Sequence, residues 1–532
     1  MRIWWVLVLT CVWRSSRVEA QDEKDPFFED VLYASSGANN RPSALALGDD
    51  NFVYICGSSR ALNKEDRLGE AVNEGASLGV EDIFIAKVSR DGRLGWIRLL
   101  GSPQREICGG LTTFGSEVYV VGTTDGKVER HDPTEELSSD KKPSDVLFAR
   151  LNSENGDSRW IHQHARDTED EGWDIHVSKD GEHLYLFGAT TGALSSEPKD
   201  SDRKLFVGLL GVDGKHGSLK SREYSMENHE DITRVTVTIS EDGECAFAAS
   251  TYYANDRFVF SLKQIHLPNL SQGFEYKYDG QASVRPMTMA PDGDGGLVMS
   301  AIFYDTPEVG NQIYVASFSA KGAMEWSASD GVDGHDDSIA GAYATGAKHF
   351  VAVGDSEGNY GRINMRGDRS PVAIVLNGEG EIAAKYQMDV KPKEWFEVHA
   401  SKYCSRENKI FMAIASGSVA HTEDLVLATF NVPPSARAGA GFSGLLYAVS
   451  QLPNFILISA VVGACLVLVC FCILCFRIMM RRRSPANGFE DLVYEEDYEM
   501  DGDVGSSAAR VKSAGGVVRI PRGYVEPTEN SN

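Results

Sequence analysis

Two acidic positions recur along this 532-residue chain, and carboxylates held at a fixed place in a repeat could gather a hard cation. One set is Glu106, Glu171, Asp231, Asp337 and Glu397; the other is Asp82, Asp145, Asp202, Asp256 and Asp424. Ca²⁺ takes roughly six to eight oxygen ligands, so such a ring would collect it. The competing reading is that each acid caps turn amides and locks one repeat to the next. That reading is preferred, because no dense run of alternating aspartates supplies a full ligand set. The nearest approach is Asp333-Gly334-His335-Asp336-Asp337, where Asp333, Asp336 and Asp337 make an incomplete set. His162 and His164 have the spacing of a strand-borne metal pair, since residues two apart share a face, but no third ligand stands at useful spacing. Arg366-Gly367-Asp368 has the form of an adhesive tripeptide, which chance also produces in a Gly- and Asp-rich chain. No G-x-S-x-G elbow, H-E-x-x-H, phosphate loop or C-x-x-C pair is present in the region before the apolar stretch near Phe455. The residues therefore point to no cofactor, with Ca²⁺ as the one exception worth testing, and to no catalytic set.

The elements that would position these residues form a repeat. Its best copies are Asn51–Ser102, Ser116–His164 and Glu182–Tyr224, and weaker ones follow at Glu244–Tyr278, Gly296–Ser329, His349–Gln387 and Lys409–Phe430. The aligned anchors are Tyr54, Tyr119, Tyr185, Phe247, Val298, Val351 and Met412. Short β-rich runs split by Asp-Gly, Asn-Gly or Gly-Ser turns predict antiparallel strands a to d in every unit. One such sheet cannot bury both faces, and radial stacking into a propeller solves that. The seventh unit lacks a strand d, while "DVLYASSG" (Asp30–Gly37) is an orphan before strand a of the first. The expected fold is therefore all-β, a seven-bladed propeller whose N-terminal strand completes the last blade. The pattern "VYxxG…DxFxAKxxxDGxLxW" resembles the seven-bladed propeller repeat called SBBP, found in secreted and surface proteins. That resemblance implies the ring and names no activity.

Residues 1–20 read as a secretory signal, with Arg2, an apolar Ile3–Trp13 core and small residues before Gln21. Phe455–Phe476 is uncharged, long enough for ~30 Å of hydrocarbon, and followed by Arg477 and Arg481-Arg482-Arg483. The expected layout is a propeller over 21–431, a linker over 432–453, a membrane helix over 454–478 and a cytoplasmic tail over 479–532. This is a single-pass type I protein of the plasma membrane or a secretory-pathway membrane. Cys56, Cys108, Cys245 and Cys404 would then face an oxidising space, with three possible pairings. The formal net charge of −25 argues against nucleic-acid partners. Asn269-Leu270-Ser271 is a glycosylation sequon in a predicted c–d turn.

Strands alternate in direction, so the b–c and d–a connections share one face. The long inserts Ser58–Glu81, Thr123–Ser144, Ala189–Arg203 and Asp355–Ser370 are all b–c, and they join the acidic connections Asp167–Glu171, Glu227–Asp231 and Asp330–Asp337 there. The predicted binding residues are Glu169, Asp170, Glu171, Asp333 and Asp336. Elsewhere, Ala460 and Ala464 offer a small-residue face for a weak helix dimer. Cys475 suits palmitoylation. Tyr494 and Tyr498, in an acidic tail, suit phosphorylation or sorting. The expected role is recognition of a protein or glycan. The rival readings are a membrane-anchored enzyme acting on carbohydrate and a cargo receptor of the secretory pathway.

Overall fold

The computed structural model describes residues 27–34, 39–60, 70–71, 79, 81–128, 143–164, 168–192, 203–214, 219–224, 232–254, 256–278, 280–304, 310–346, 349–360, 368–390, 394–418 and 421–433. These residues form seven sheets, six built on four consecutive antiparallel strands a to d and the seventh on three consecutive strands with the N-terminal segment as its fourth. Strand a begins at Asn39, Glu106, Asp170, Ile232, Ser283, Asp337 and Glu394 in blades one to seven. Middle strands carry near-continuous apolar runs because a neighbouring blade covers each of their faces. Strand c of blade one, Asp82–Ser89, is buried throughout. Strand d of blade two, Ser158–His164, lies at the rim and is only half-buried. The core is consequently inter-blade: Ile83 and Ile85 of blade one meet Val118, Val120 and Leu147 of blade two. Full burial of each such side chain contributes ~1.5–3 kcal/mol.

Closure follows the expected route, with shifted bounds. The N-terminal strand is Phe28–Ala34, not Asp30–Gly37, and it pairs antiparallel with strand c of blade seven, His421–Asn431. Phe28 lies opposite Phe430, and the Asn431 amide donates to the Phe27 carbonyl at 2.7 Å. Phe27 packs on Tyr386 of blade six at 4.7 Å, so the two chain segments are tied into two blades at once.

The glycine of the repeat has a mechanical cause. Every strand a contains a register break: Pro42/Ala44, Cys108/Gly110, Gly172/Asp174, Ile232/Arg234, Pro286/Thr288, Ile339/Gly341 and Val398/Ala400. Such bulges bend the inner strand and re-aim side chains. In blades one, two, three and six the bulge lies against Gly57, Gly122, Gly188 and Gly354. A Cβ there would overlap the carbonyl oxygens of Arg41, Ile107, Glu171 and Ser338 respectively. Blade four has Ser250 at the equivalent position and its bulge has moved toward the start of strand a, whereas blade seven has Ala415 there and its bulge has moved one place toward the end of the strand.

The aromatic residue of strand d also spans blades. Trp96, Trp160, Phe274 and Trp326 lie against the c–d turn glycine of the following blade: Gly156, Gly214, Gly322 and Gly380. All four glycines have positive φ, and in blade four Leu270, at φ 58°, takes that place. Its carbonyl accepts from Arg222 and Tyr224 of blade three. The Trp96 indole donates to the Ser153 carbonyl at 3.1 Å. Thus "DGxLxW" is one side of a clasp whose other side is the next repeat's turn.

A disulfide joins Cys56 of blade one to Cys108 of blade two, with Cα atoms 6.2 Å apart, and Cys245 and Cys404 are free thiols. Blade one differs from expectation in one respect. Its b–c insert does not simply project from the face, because Glu70–Ala71 pairs in parallel with the outer strand Leu94–Leu100 and makes a fifth strand. That pairing covers an otherwise unpaired sheet edge.

Candidate functional site

Strand direction places the b–c and d–a connections on one face and the turns a–b and c–d on the other. The chain passes Asn431 at the end of a strand c, where the Val432 amide bonds the Asn408 carbonyl in an a–b turn. It therefore leaves the ring from the face opposite the inserts. Residues 61–69, 72–78, 129–142, 193–202 and 361–367 of those inserts, and the Glu227–Asp231 connection, lie outside the described residues.

The recurring acids resolve into fixed roles. Glu106 is fully buried; it accepts from the Ser102 amide at 2.8 Å, the Ser102 hydroxyl and the Thr124 hydroxyl at 2.7 Å. Asp337 accepts from the Val332 amide at 2.8 Å and from the Ser356 hydroxyl. The residue in the same register of blade three is Asp170, opposite Thr190, not Glu171. Asp170 is fully buried and accepts from Thr168, so it belongs to the fold and is withdrawn from the binding face. The equivalent of blade one is Asn40, bonded to the Ser59 hydroxyl at 2.8 Å. Glu106 and Asp337 each tie a d–a connection to the end of strand b. Glu171 pairs with Arg203 and accepts from the Trp173 indole, and Glu397 lies 3.8 Å from His399. Asp82 and Asp145 are buried and accept from the Gly79 amide and the Gln163 side chain. Asp256 sits in a turn, and Asp424 lies within a strand rather than at its start. Asp202 and Asp231 lie outside the described residues.

Glu169, Asp333 and Asp336 are exposed on the loop-bearing face. Asp336 caps the Asn311 amide at 3.1 Å. Among the described residues, the group of three acids or histidines gathered within 4.8 Å is Asp180, Glu182 and His183, in an exposed turn on the opposite face. Asp333, Asp336 and Asp337 are not gathered in that way. His162 stacks on Trp160 at 5.0 Å, which explains that histidine as part of the rim packing. Asn269 is in a c–d turn, where its side-chain oxygen accepts from Ser271, on the face from which the chain leaves. Of the Arg-Gly-Asp tripeptide only Asp368 is described, and its amide donates to the Glu394 carbonyl. Residues 434–532, with Phe455–Phe476, Ala460, Ala464, Cys475, Tyr494 and Tyr498, lie outside the described residues, and no described helix is long and apolar enough to cross a membrane.

Blades six and seven meet over a buried charge cluster at this face. Asp355 accepts from the Val398 amide at 2.8 Å and lies 3.1 Å from Arg369, whose guanidinium also donates to the Asp336 carbonyl. Burial pushes the Asp355 carboxyl up to about 7 against the pull of Arg369, and burial pushes Asp337 up to about 6. Both carboxyls hold a proton in the fold at a pH where the unfolded chain, titrating near 3.8, has lost it. The folded state then binds more protons, so stability falls as pH rises from about 4 to about 7. For Asp337 the gap corresponds to about 3 kcal/mol. An Asp337→Asn variant keeps both acceptor contacts without the titration. Its thermal midpoint should fall less between pH 5 and pH 7.5 than the parent's and lie above it at pH 7.5. A steeper fall in the variant would contradict this assignment.

The strand register also exposes a feature of the channel mouth. The position just outside the glycine or its equivalent holds Arg41, Ile107, Glu171, Arg234, Arg285 and Ser338 in blades one to six. Two adjacent blades thus place arginines side by side. Arg234 titrates down at about 10, through burial and the positive charge of Arg285. Deeper in the channel, Asp174 of blade three interacts electrostatically with both Arg234 and Lys402 of blade seven. Nothing local in the sequence links these residues; only a register count including the bulges aligns them.

No protein-family model matches the chain, and no curated protein sequence does. Among solved structures, the ring is similar to Chaetomium thermophilum Sqt1 bound to the N-terminus of the ribosomal protein L10, at 11% identity over 76% of this chain and 99% of that one, with a TM-score of 0.39. It is also similar to the Dos1 propeller, at 10% identity over 76% and 95% of the two chains and a TM-score of 0.38. A third is the β-propeller domain of the Trilobed protease from Pyrococcus furiosus, at 9% identity over 73% and 93% and a TM-score of 0.37. At that distance the likeness says nothing of ligand or activity.

Proposed function

We propose that this chain is a recognition protein whose loop-bearing propeller face binds a protein partner, held as a type I membrane protein with the ring on the lumenal or outer side. The observation that carries the reading is directional. Inserts and acidic connections from several blades emerge on one face of a self-closed ring, and the chain departs from the other. Rigid scaffolds that concentrate long loops on one side suit recognition. The apolar Phe455–Phe476 stretch with its following arginines supports the membrane anchor, and the Cys56–Cys108 disulfide suits an oxidising compartment. Recognition stands ahead of carbohydrate cleavage because Glu106, Asp170 and Asp337 are buried and hydrogen-bonded to the fold.

The test is affinity capture from a membrane-containing extract with the chain carrying Glu169→Gln, Asp333→Asn and Asp336→Asn together. Steering between opposite charges weakens as the Debye length falls from ~10 Å at 0.1 M salt to ~3 Å at 1 M. The parent should capture a partner in a salt-sensitive manner. The triple variant should capture several-fold less with an unchanged melting temperature. Equal capture by both chains at 0.1 M salt would refute a role for this acidity in binding.

A further inference from the structure

The bulge of blade four differs from those of its neighbours, and the difference has a consequence at the channel mouth. In blades one, two, three, five and six the extra residue of strand a falls between the partners of the third and second residues after the anchor. In blade four it falls two places nearer the start of the strand, at Thr233, between Ile232↔Tyr252 and Arg234↔Thr251. With the bulge in the common place, Thr233 would occupy the mouth and Arg234 would lie opposite Ser250, which stands on strand b where regular blades have glycine. Moving the bulge puts Arg234 at the mouth, level with Arg285, which pairs with Ile302 in blade five. The bulge thus re-aims one cation toward another, against their mutual repulsion.

These cations are weakly compensated. Asp174 is the carboxylate that interacts with Arg234, and it is shared with Lys402. Asp174 also accepts from the Ile175 amide at 2.8 Å and lies 3.3 Å from His176. Among the described residues, neither Arg234 nor Arg285 has a carboxylate within 4.0 Å, and the buried Nε of Arg285 has no hydrogen-bond partner. Burying an unpaired guanidinium donor costs free energy that a bound anion would recover. The surroundings are also organised. The Arg285 guanidinium lies over the Phe258 ring at 5.8 Å, and Phe258 touches Tyr304 at 5.7 Å and the exposed Tyr253 at 5.4 Å. Tyr304 is near enough to Arg234 to interact with it electrostatically.

We propose that the channel mouth between blades four and five binds the carboxylate or phosphate group of an anionic ligand, gripped by Arg234 and Arg285, with the Phe258 ring beside the ligand's apolar body. Two guanidinium forks suit an oxyanion with several acceptor oxygens. The aromatic wall favours a ligand carrying a planar group next to that oxyanion. This site is independent of whether the outer loops bind a protein.

The experiment is calorimetric titration of the full-length protein in detergent with phenyl phosphate, benzoate and inorganic phosphate, and with benzyl alcohol as a neutral control. Saturable binding of phenyl phosphate or benzoate is expected, tighter than that of inorganic phosphate, with none for benzyl alcohol. Whether phosphate or carboxylate binds tighter identifies the group the site prefers. Arg285→Gln and Arg234→Gln should each weaken binding at least tenfold. Arg93→Gln, at an exposed residue in a c–d turn, should leave it unchanged. Arg285→Lys, which keeps the charge and loses the fork, should give an intermediate loss and serves as the readout if a glutamine variant does not fold. Absence of saturable binding, or equal affinity in the parent, Arg285→Lys and Arg93→Gln proteins, would overturn the proposal.

Discussion

Deleting residues 27–34 should unfold the ring or drive it to self-associate, with a larger effect than any single substitution on either face. The segment is the fourth strand of blade seven, so its loss removes the pairing of Phe28–Ala34 with His421–Asn431. It also removes Phe27 and Phe28, both buried, from contacts with Tyr386 and Phe430. At ~3–5 kcal/mol for each large aromatic lost from a core, two such losses match much of a typical domain's stability of ~5–15 kcal/mol. The strand edge of residues 421–431 would then lie open to another chain. Calorimetry and light scattering on the truncated protein test this. A monomer with the parent's melting temperature would show that the N-terminal strand does not close the ring.

Strand existence, blade count and closure could all be read from the sequence because each rests on a local signal repeated seven times. The anchors sit in short apolar runs, Asp-Gly pairs mark turns, and one unit lacks a strand that the N-terminus has to spare. The reasons behind the motif were less accessible. The glycine after strand b and the tryptophan of strand d are visible as recurring letters, yet each is required by a partner elsewhere. Gly57 faces the Arg41 carbonyl across the sheet, and Trp96 faces Gly156 in the next blade. The main error in the acidic ring is one of register. The bulge falls at the same place in blades two and three, but the last a–b pair encloses residues 115–116 in one and 178–183 in the other. Counting along the sequence therefore selected Glu171 where pairing selects Asp170. The same blindness hid Arg234 and Arg285, which belong to different repeats and become neighbours through a displaced bulge. The Cys56–Cys108 pairing needed the spacing between two blades, which no cysteine count supplies. The fifth strand, Glu70–Ala71, arose in an insert with no clear strand pattern of its own and is held by the free edge it covers.

Partner binding should belong to the loop-bearing face and spare the opposite one. A bulky glycan placed on each face in turn separates the two without disturbing the core. Asp333→Asn with His335→Thr creates a sequon in the exposed d–a turn between blades five and six. Asp242→Asn with Glu244→Thr creates one in the exposed a–b turn of blade four. The asparagine introduced there would still accept, through its amide oxygen, the contacts that the Asp242 side-chain oxygen now takes from Ser240 and the residue 244 amide. Both chains should fold as the parent does, because each glycan projects into solvent from a turn. Capture of the partner is then the measurement. The Asp333→Asn, His335→Thr chain should lose it almost entirely, and the Asp242→Asn, Glu244→Thr chain should retain it. Retained capture in the first chain with loss in the second would contradict the account and move recognition to the face from which the chain leaves the ring.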